Sequence, residues 1–254
     1  VIPAPRHLLV CDLDGTLVDA GGAAATGVGA ALRDLQASGV LFAVCTGRPY
    51  ASARRLLGRV GLRPDVLAAY HGALVVDLDR RVCVRHLRLP SAVAASIAAE
   101  LKGCALDVTW YWGGWRLSGK RSDPPTGHAG GARGPATRLL ATGPEAVVDA
   151  AVARLGALDI GVARIDRPMA ARLDVRHRLA VKEEALRLIA ERRGVPPDHV
   201  TACGDDRLDL AMLRCAGHSV VVGAATADCR EAADVTLPMD GLAAYLRDHL
   251  HRDL

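Results

Sequence analysis

Short apolar runs alternate with helical stripes along most of this chain. Leu8-Leu9-Val10-Cys11 is a continuous apolar run that leads into Asp12-Leu13-Asp14-Gly15-Thr16. Runs of this length bounded by a turn signal read as buried parallel strands. Val28, Ala31, Leu32 and Leu35 then recur at helical spacing up to a stop at Ser38-Gly39. A second apolar run over 40–45 predicts another buried strand, closed by Thr46-Gly47-Arg48-Pro49. A helix over 50–60 and a strand over 66–70 follow, the latter ending at His71-Gly72-Ala73. Strands over 74–77 and 82–87 bracket Asp79-Arg80-Arg81 as a hairpin.

From about Cys83 to Val175 the pattern changes, which predicts a second domain. It has a helix over 91–101, a helix over 145–155, and strands over 161–165 and 171–175. All three tryptophans lie in Trp110-Tyr111-Trp112-Gly113-Gly114-Trp115, and Trp110 and Trp112 share one face of a strand. Facing a cleft they would stack on a sugar ring or base; facing helices they are core. The Gly- and Pro-rich stretch 121–137, with His128 and Arg133, reads as a mobile loop. Strand–helix alternation then resumes: Lys182 opens a helix over 183–192, a strand ends at Gly204-Asp205, and Asp209 begins the next helix. A strand and turn over 219–224, a helix over 227–233, a strand over 235–237 and a helix from Gly241 complete the pattern.

The chemistry concentrates at strand ends. Asp12 and Asp14 sit where open α/β sheets place their ligands. Two carboxylates this close repel, and a divalent cation with oxygen ligands, such as Mg2+, resolves the conflict. One aspartate can attack phosphorus while the other serves the leaving oxygen as general acid. Thr46 and Gly47 pair a hydroxyl with a helix start, which suits phosphate. Asp205 and Asp209 can converge on one cation, although an N-cap with a first-turn acid has the same spacing. Lysine at a helix start is disfavoured by the helix dipole, so Lys182 hints at an anionic neighbour.

The Asp12-x-Asp14-Gly15-Thr16 stretch resembles the first signature of the haloacid dehalogenase (HAD) superfamily. Thr46, Lys182 and the run Gly204-Asp205 through Asp209 to Met212-Leu213 match its second, third and fourth motifs in order. The inserted helices and strands resemble the C2B-type cap of the Cof-like branch. Four departures stand out: His71, Leu208 and Ala224 replace usual asparagines, and Val181 and Glu183 replace the usual neighbours of the motif-three lysine. The resemblance implies an α/β fold: a HAD-like, doubly wound parallel-sheet core over 1–82 and 176–254, with an α/β cap inserted over 83–175.

It also implies a Mg2+-dependent phosphomonoester hydrolase, with a sugar phosphate or similar small phosphometabolite as substrate. Asp12 is then nucleophile and Asp14 the acid and base, while Thr46, Gly47 and Lys182 join Asp12 in holding phosphate. Asp12, Asp205, Asp209 and the backbone carbonyl of Asp14 hold the metal. Arg48, His71, Trp110 and Trp112 are candidate substrate contacts. Two rivals are a phosphomutase or phosphotransferase using the same aspartyl-phosphate, and a non-catalytic phosphometabolite-binding module.

Bulk properties agree with that picture. Half the 254 residues are apolar but aromatics are only 3%, so the core is built from Leu, Val and Ala. A formal charge of +4 suits an anionic substrate and is far from a nucleic-acid footprint. Seven scattered cysteines read as small hydrophobes in a reducing, cytoplasmic compartment. No apolar run reaches the roughly 18 residues of a membrane span. Val1-Ile2-Pro3-Ala4-Pro5 lacks signal-peptide character and an initiating Met, which suggests a trimmed start. Monomer and homo-oligomer stay equally open.

Overall fold

The computed structural model describes residues 7–113, 115–119, 135–165 and 170–248. The loop expected over 121–137, with His128 and Arg133, lies almost wholly outside them, as does the stretch Val1–Pro5. The chain divides into two compact units, Val1–Val84 with Val181–Leu254 and Arg85–Ala180.

In the first unit the chain runs β1 (His7–Cys11), α1 (Val28–Ala37), β2 (Val40–Cys45), α2 (Tyr50–Val60), β3 (Val66–Ala69), β4 (Leu74–Asp77) and β5 (Val82–His86). The second unit holds α3 (Ser91–Leu101), β6 (Asp107–Trp112), β7 (Trp115–Gly119), β8 (Arg138–Gly143), α4 (Glu145–Leu155), β9 (Gly161–Ile165) and β10 (Ala171–Arg176). The chain then returns through α5 (Lys182–Arg193), β11 (Val200–Gly204), α6 (Leu210–Cys215), β12 (His218–Val222), α7 (Ala227–Ala232), β13 (Val235–Leu237) and α8 (Leu242–Asp248). The boundaries expected from sequence, 82/83 and 175/176, fall inside β5 and β10.

The larger sheet has eight strands in the order β13-β12-β11-β1-β2-β3-β4-β5. Pairing is parallel from β13 through β3, and β4 runs antiparallel to β3. Every residue of β1, β2, β3 and β11 is buried, as the continuous apolar runs require. Strand alternation splits that apolar content between two cores. Leu9, Phe42 and Val44 pack with Leu32 and Leu35 of α1, Leu56 of α2 and Leu246 of α8. Leu8, Val10, Leu41 and Ala43 pack on the opposite face with Leu186 and Ile189 of α5 and Met212 of α6. Helices on both faces make the fold doubly wound.

The second unit is a five-stranded sheet in the order β7-β6-β8-β10-β9, antiparallel throughout. One face carries Val108, Trp110, Leu139, Leu173 and Val175 against Ile97 of α3 and Val148 of α4. Trp110 is 1% exposed, and Trp112 is partly buried against the same cluster. Both therefore face the core, and the substrate-stacking role considered for them does not hold. Strand alternation puts Tyr111, Arg138, Asp174 and Arg176 on the other face, where the guanidinium of Arg138 grips fully buried Asp174 through two 2.8 Å bonds.

Candidate active site

The site grows from two neighbouring strand ends in the first unit. The amide of Asp12 continues the β1 ladder by donating to the carbonyl of Cys203 at 2.9 Å. Asp12 thus leaves β1 beside the point where β11 ends in Gly204-Asp205. The chain after Asp12 folds into a tight loop in which the amide of Gly15 donates to Val18, and Leu13, Leu17 and Val18 are buried beneath it. Gly15 adopts φ +91°, and a Cβ there would lie 2.1 Å from Oδ2 of Asp205. Glycine is needed on both counts: left-handed backbone and room for a carboxylate.

Lys182, the first residue of α5, reaches the same point. Its Nζ donates to Oδ1 of Asp12 and to Oδ1 of Asp209, each at 2.5 Å. Asp209 closes a 3-10 turn after β11, and its Oδ2 accepts the amides of Asp206 and Asp205 at 3.1 and 3.3 Å. The N-cap and first-turn acid geometry considered as an alternative is also present: Asp206 caps this turn in a reciprocal box with Asp209. One carboxylate serves both purposes, because its two oxygens face different partners. Asp205 in turn accepts the hydroxyl of Thr16 at 2.8 Å. One carboxylate oxygen from each of Asp12, Asp205 and Asp209 lies within 4.8 Å of the other two.

Three acids thus face one ammonium in a largely dry setting. Burial drives the carboxyl of Asp12 up to about 8, with Asp209 and Asp205 adding to the rise and Lys182 opposing it. Burial likewise lifts Asp205 to about 6, against the Thr16 hydrogen bond. Burial works against the charge on Lys182, but Asp12 and Asp209 outweigh it and hold it above the ordinary lysine range. The excess negative charge and the all-oxygen donor set fit a hard divalent cation such as Mg2+. Residues Asp12, Asp205 and Asp209 would hold it. The side chain of Asp14 contributes nothing to this cluster.

Asp14 points elsewhere. Both its oxygens are taken by Arg48, Nε at 2.7 Å and Nη2 at 2.6 Å. The sequence offers Arg48 as a candidate substrate contact and carries no sign of this fork. No local pattern announces it, since the two residues are 34 apart in the chain. Thr46 directly follows β2, 1% exposed, and its hydroxyl accepts the amide of Arg48 at 3.1 Å, leaving its proton to be donated. His71 is buried with φ +55° in a 3-10 turn tied back to the Thr46 carbonyl through its amide at 2.9 Å. Its ring lies directly on Gly47, where a Cβ would come within 2.6 Å of Nε2. Packing of the two strand-end turns accounts for His71 without a substrate.

None of the seven cysteines forms a disulfide. Cys11, Cys45, Cys203 and Cys229 are buried as expected of small hydrophobes, whereas Cys83 is exposed. Among the described residues no helix is long and apolar enough to cross a membrane.

The model of the haloacid dehalogenase-like hydrolases matches residues 9–117 and 135–243. A phosphoglycolate phosphatase of Methanopyrus kandleri is 26% identical over 243 residues, which is 94% of this chain and 95% of that protein. A haloacid dehalogenase-like hydrolase from Bacteroides thetaiotaomicron superposes with a TM-score of 0.81 at 21% identity, covering 98% of this chain and all (100%) of the other. A HAD subclass IIB sugar phosphatase superposes with a TM-score of 0.75 at 17% identity, covering 97% and 99%. Four motifs in order, a doubly wound core with an inserted second unit, and a family match across both segments converge: this chain belongs to the haloacid dehalogenase-like hydrolases and is a Cof-like phosphatase.

Proposed function

We propose that this phosphatase is a Mg2+-dependent phosphomonoester hydrolase that works through an aspartyl-phosphate on Asp12. The observation that carries the reading is the buried junction of Asp12, Lys182 and Asp209 beside Asp205, with Asp14 two residues from the nucleophile. When bound, the cation would neutralise carboxylate and phosphate charge that Lys182 alone leaves unbalanced.

A carboxylate oxygen of Asp12 forms a bond to phosphorus as the ester P–O bond breaks. The leaving alkoxide takes a proton from Asp14. Asp14 then removes a proton from water, whose oxygen attacks phosphorus and frees inorganic phosphate and Asp12. Lys182 and the Thr46 hydroxyl would stabilise the charge spreading over the phosphoryl oxygens. The Arg48 fork occupies both oxygens of Asp14. Asp14 therefore reaches the leaving oxygen only when Arg48 lets go, and the anionic substrate is the natural competitor for that guanidinium.

A small sugar or polyol phosphate is the proposed substrate, supported by the sugar phosphatase and phosphoglycolate phosphatase among the related proteins. The inserted unit is proposed to be the cap that selects the leaving group. Seven cysteines without a disulfide support work in a reducing cytoplasm.

The test is phosphate release from a panel of sugar phosphates, phosphoglycolate, nucleotides and pyridoxal phosphate, with Mg2+, with chelator, and with Asp12→Asn. Turnover that needs Mg2+ and vanishes in Asp12→Asn is expected. Turnover that survives the substitution would overturn the nucleophile assignment. Release that appears only with an added alcohol acceptor would favour a phosphotransferase.

A further inference from the structure

The start of β3 borders a second cavity, within the first unit but far from the acids. Asp12 follows the carboxyl end of β1, whereas Pro64-Asp65 precede the first residue of β3, and these strands run in the same direction. The cavity therefore opens at the opposite edge of the sheet. It is a half-open pocket of about 730 Å3, within the size range of pockets that hold small ligands.

Its lining has three kinds of surface. Half-buried Leu78 supplies apolar surface, with the buried Leu57 and Leu62 behind it. Arg33 of α1, Arg54 of α2 and Arg63 after α2 ring it. Among the described residues, no side-chain hydrogen bond or ion pair joins any of these three guanidiniums to the protein. This contrasts with Arg48, Arg138 and Arg193, which grip carboxylates at 2.6 to 2.8 Å. The acids at the rim are Asp65 and Asp79. Asp65 is already engaged, accepting the Gln36 amide at 3.0 Å and the amide of Phe42 at 2.8 Å. Asp79 lies 4.0 Å from Arg193. Positive charge is thus the part of this surface left unanswered. A Cβ at Gly58 or Gly61 would meet nothing within 4 Å, so the space beside both is open.

We propose that this cavity binds a phosphorylated metabolite with an apolar or planar body, the chemistry of a nucleoside phosphate. Phosphate oxygens meet the three guanidiniums, which present planar donor forks suited to them. The planar body lies on Leu78 and the aliphatic stems of the arginines, and the carbonyl of the Gln36 amide and the carboxylate of Asp79 face its hydroxyl or amino groups. Inorganic phosphate would leave the apolar surface unused. The pairing is independent of the catalytic reading, because no residue is shared with the acid cluster.

The probe is ATP titrated calorimetrically into the full-length Asp12→Asn protein in chelator, so that neither turnover nor metal bridging contributes. Binding at one site with sub-millimolar affinity is expected. The double variant Arg54→Ala/Arg63→Ala should weaken it at least tenfold, since charge-assisted contacts of this kind are each worth about a decade or more. Gly58→Phe should do the same by filling the cavity while leaving every charge in place. These positions are exposed, so both variants fold. Hydrogen-exchange protection should appear over 33–36 and 57–65. Affinity unchanged in both variants, protection confined to the surroundings of Asp12, or equal affinity for inorganic phosphate would overturn the proposal.

Discussion

Lys182→Met is the substitution that tests the site's electrostatics most directly. Methionine keeps most of the side-chain volume and removes only the ammonium, so packing changes little. The lysine side chain is 5% exposed, and its two partners Asp12 and Asp209 are 7% and 0% exposed. Removing one partner of a buried pair costs about 3–5 kcal/mol, because the other charge is left buried and unanswered. For a chain of this size each kcal/mol moves the melting point by roughly 2–4 °C, so the first unit should melt about 6–20 °C earlier.

The loss has a pH signature. Without the ammonium, Asp12, already raised from 3.8 to about 8, rises further. A folded-state carboxyl pKa above its unfolded value means that the folded protein holds the proton over a window where the unfolded chain has lost it. Stability therefore falls as pH rises through that window. The deficit of Lys182→Met should be small near pH 5, where protonation relieves the acids, and largest at pH 8. The assay is circular-dichroism melting at both pH values, with hydrogen exchange of the β1 and β11 amides to assign the transition to the first unit. Lys182→Met/Asp12→Asn should recover a substantial part of the loss, and so should saturating Mg2+. A variant within about 1 kcal/mol of the parent at pH 8 would refute the charge argument. So would a double variant no more stable than the single.

Arg48→Ala breaks a pair whose members are 36% and 45% exposed, so the melting point should hardly move, by under about 1 kcal/mol. Its turnover should nonetheless fall roughly tenfold to a hundredfold through a raised KM, because the guanidinium released from Asp14 is the group that meets the anionic substrate, whereas Asp14→Asn should lose about 10²–10⁴-fold. Gly15→Ala forces a Cβ to within 2.1 Å of Asp205 Oδ2. It should cost about 1–3 kcal/mol of backbone strain and weaken Mg2+ binding measured by calorimetry; unchanged Mg2+ affinity would argue that Asp205 is not a ligand. Mg2+ must displace protons from Asp12, held up to about 8, and Asp205, held up to about 6. Its affinity should therefore rise steadily from pH 5 to pH 8, and a flat profile would contradict the ligand set. Trp110→Ala empties the core of the second unit and should destabilise it by about 3–5 kcal/mol, read by melting. A normal melt with a raised KM would instead restore Trp110 to the substrate.

The core was legible because its strands are buried on both faces. Continuous runs such as Leu8–Cys11 and 40–45 allow few other readings, and each ends where a functional group is needed. The antiparallel second unit was legible only as a change of pattern. The side on which Trp110 and Trp112 sit depends on which face α3 and α4 cover, and alternation along a strand fixes only that the two are alike. The Arg48–Asp14 fork and the 3-10 turn holding His71 escaped the sequence for a related reason. They depend on contacts between turns from different strands, where no periodicity operates.

Two of the replaced asparagines give the last step. Leu208 and Ala224 remove polar amides expected near the acids, yet the carboxylates remain oriented, and the donors that orient them can be named. The amides of Asp205 and Asp206 hold one oxygen of Asp209, Lys182 holds the other, and Thr16 holds Asp205. Most of this set is backbone or belongs to residues that already form the site, so it does not depend on the lost side chains. The replacements do not relieve the surplus of negative charge, and one ammonium cannot. Three acids around one ammonium are poorly arranged as an apo binding module, because burial pushes Asp12 and Asp205 toward their protonated forms. A divalent cation would supply the positive charge that the ammonium alone does not. The cluster therefore favours a metal-using enzyme over a degenerate relative that retains the fold alone.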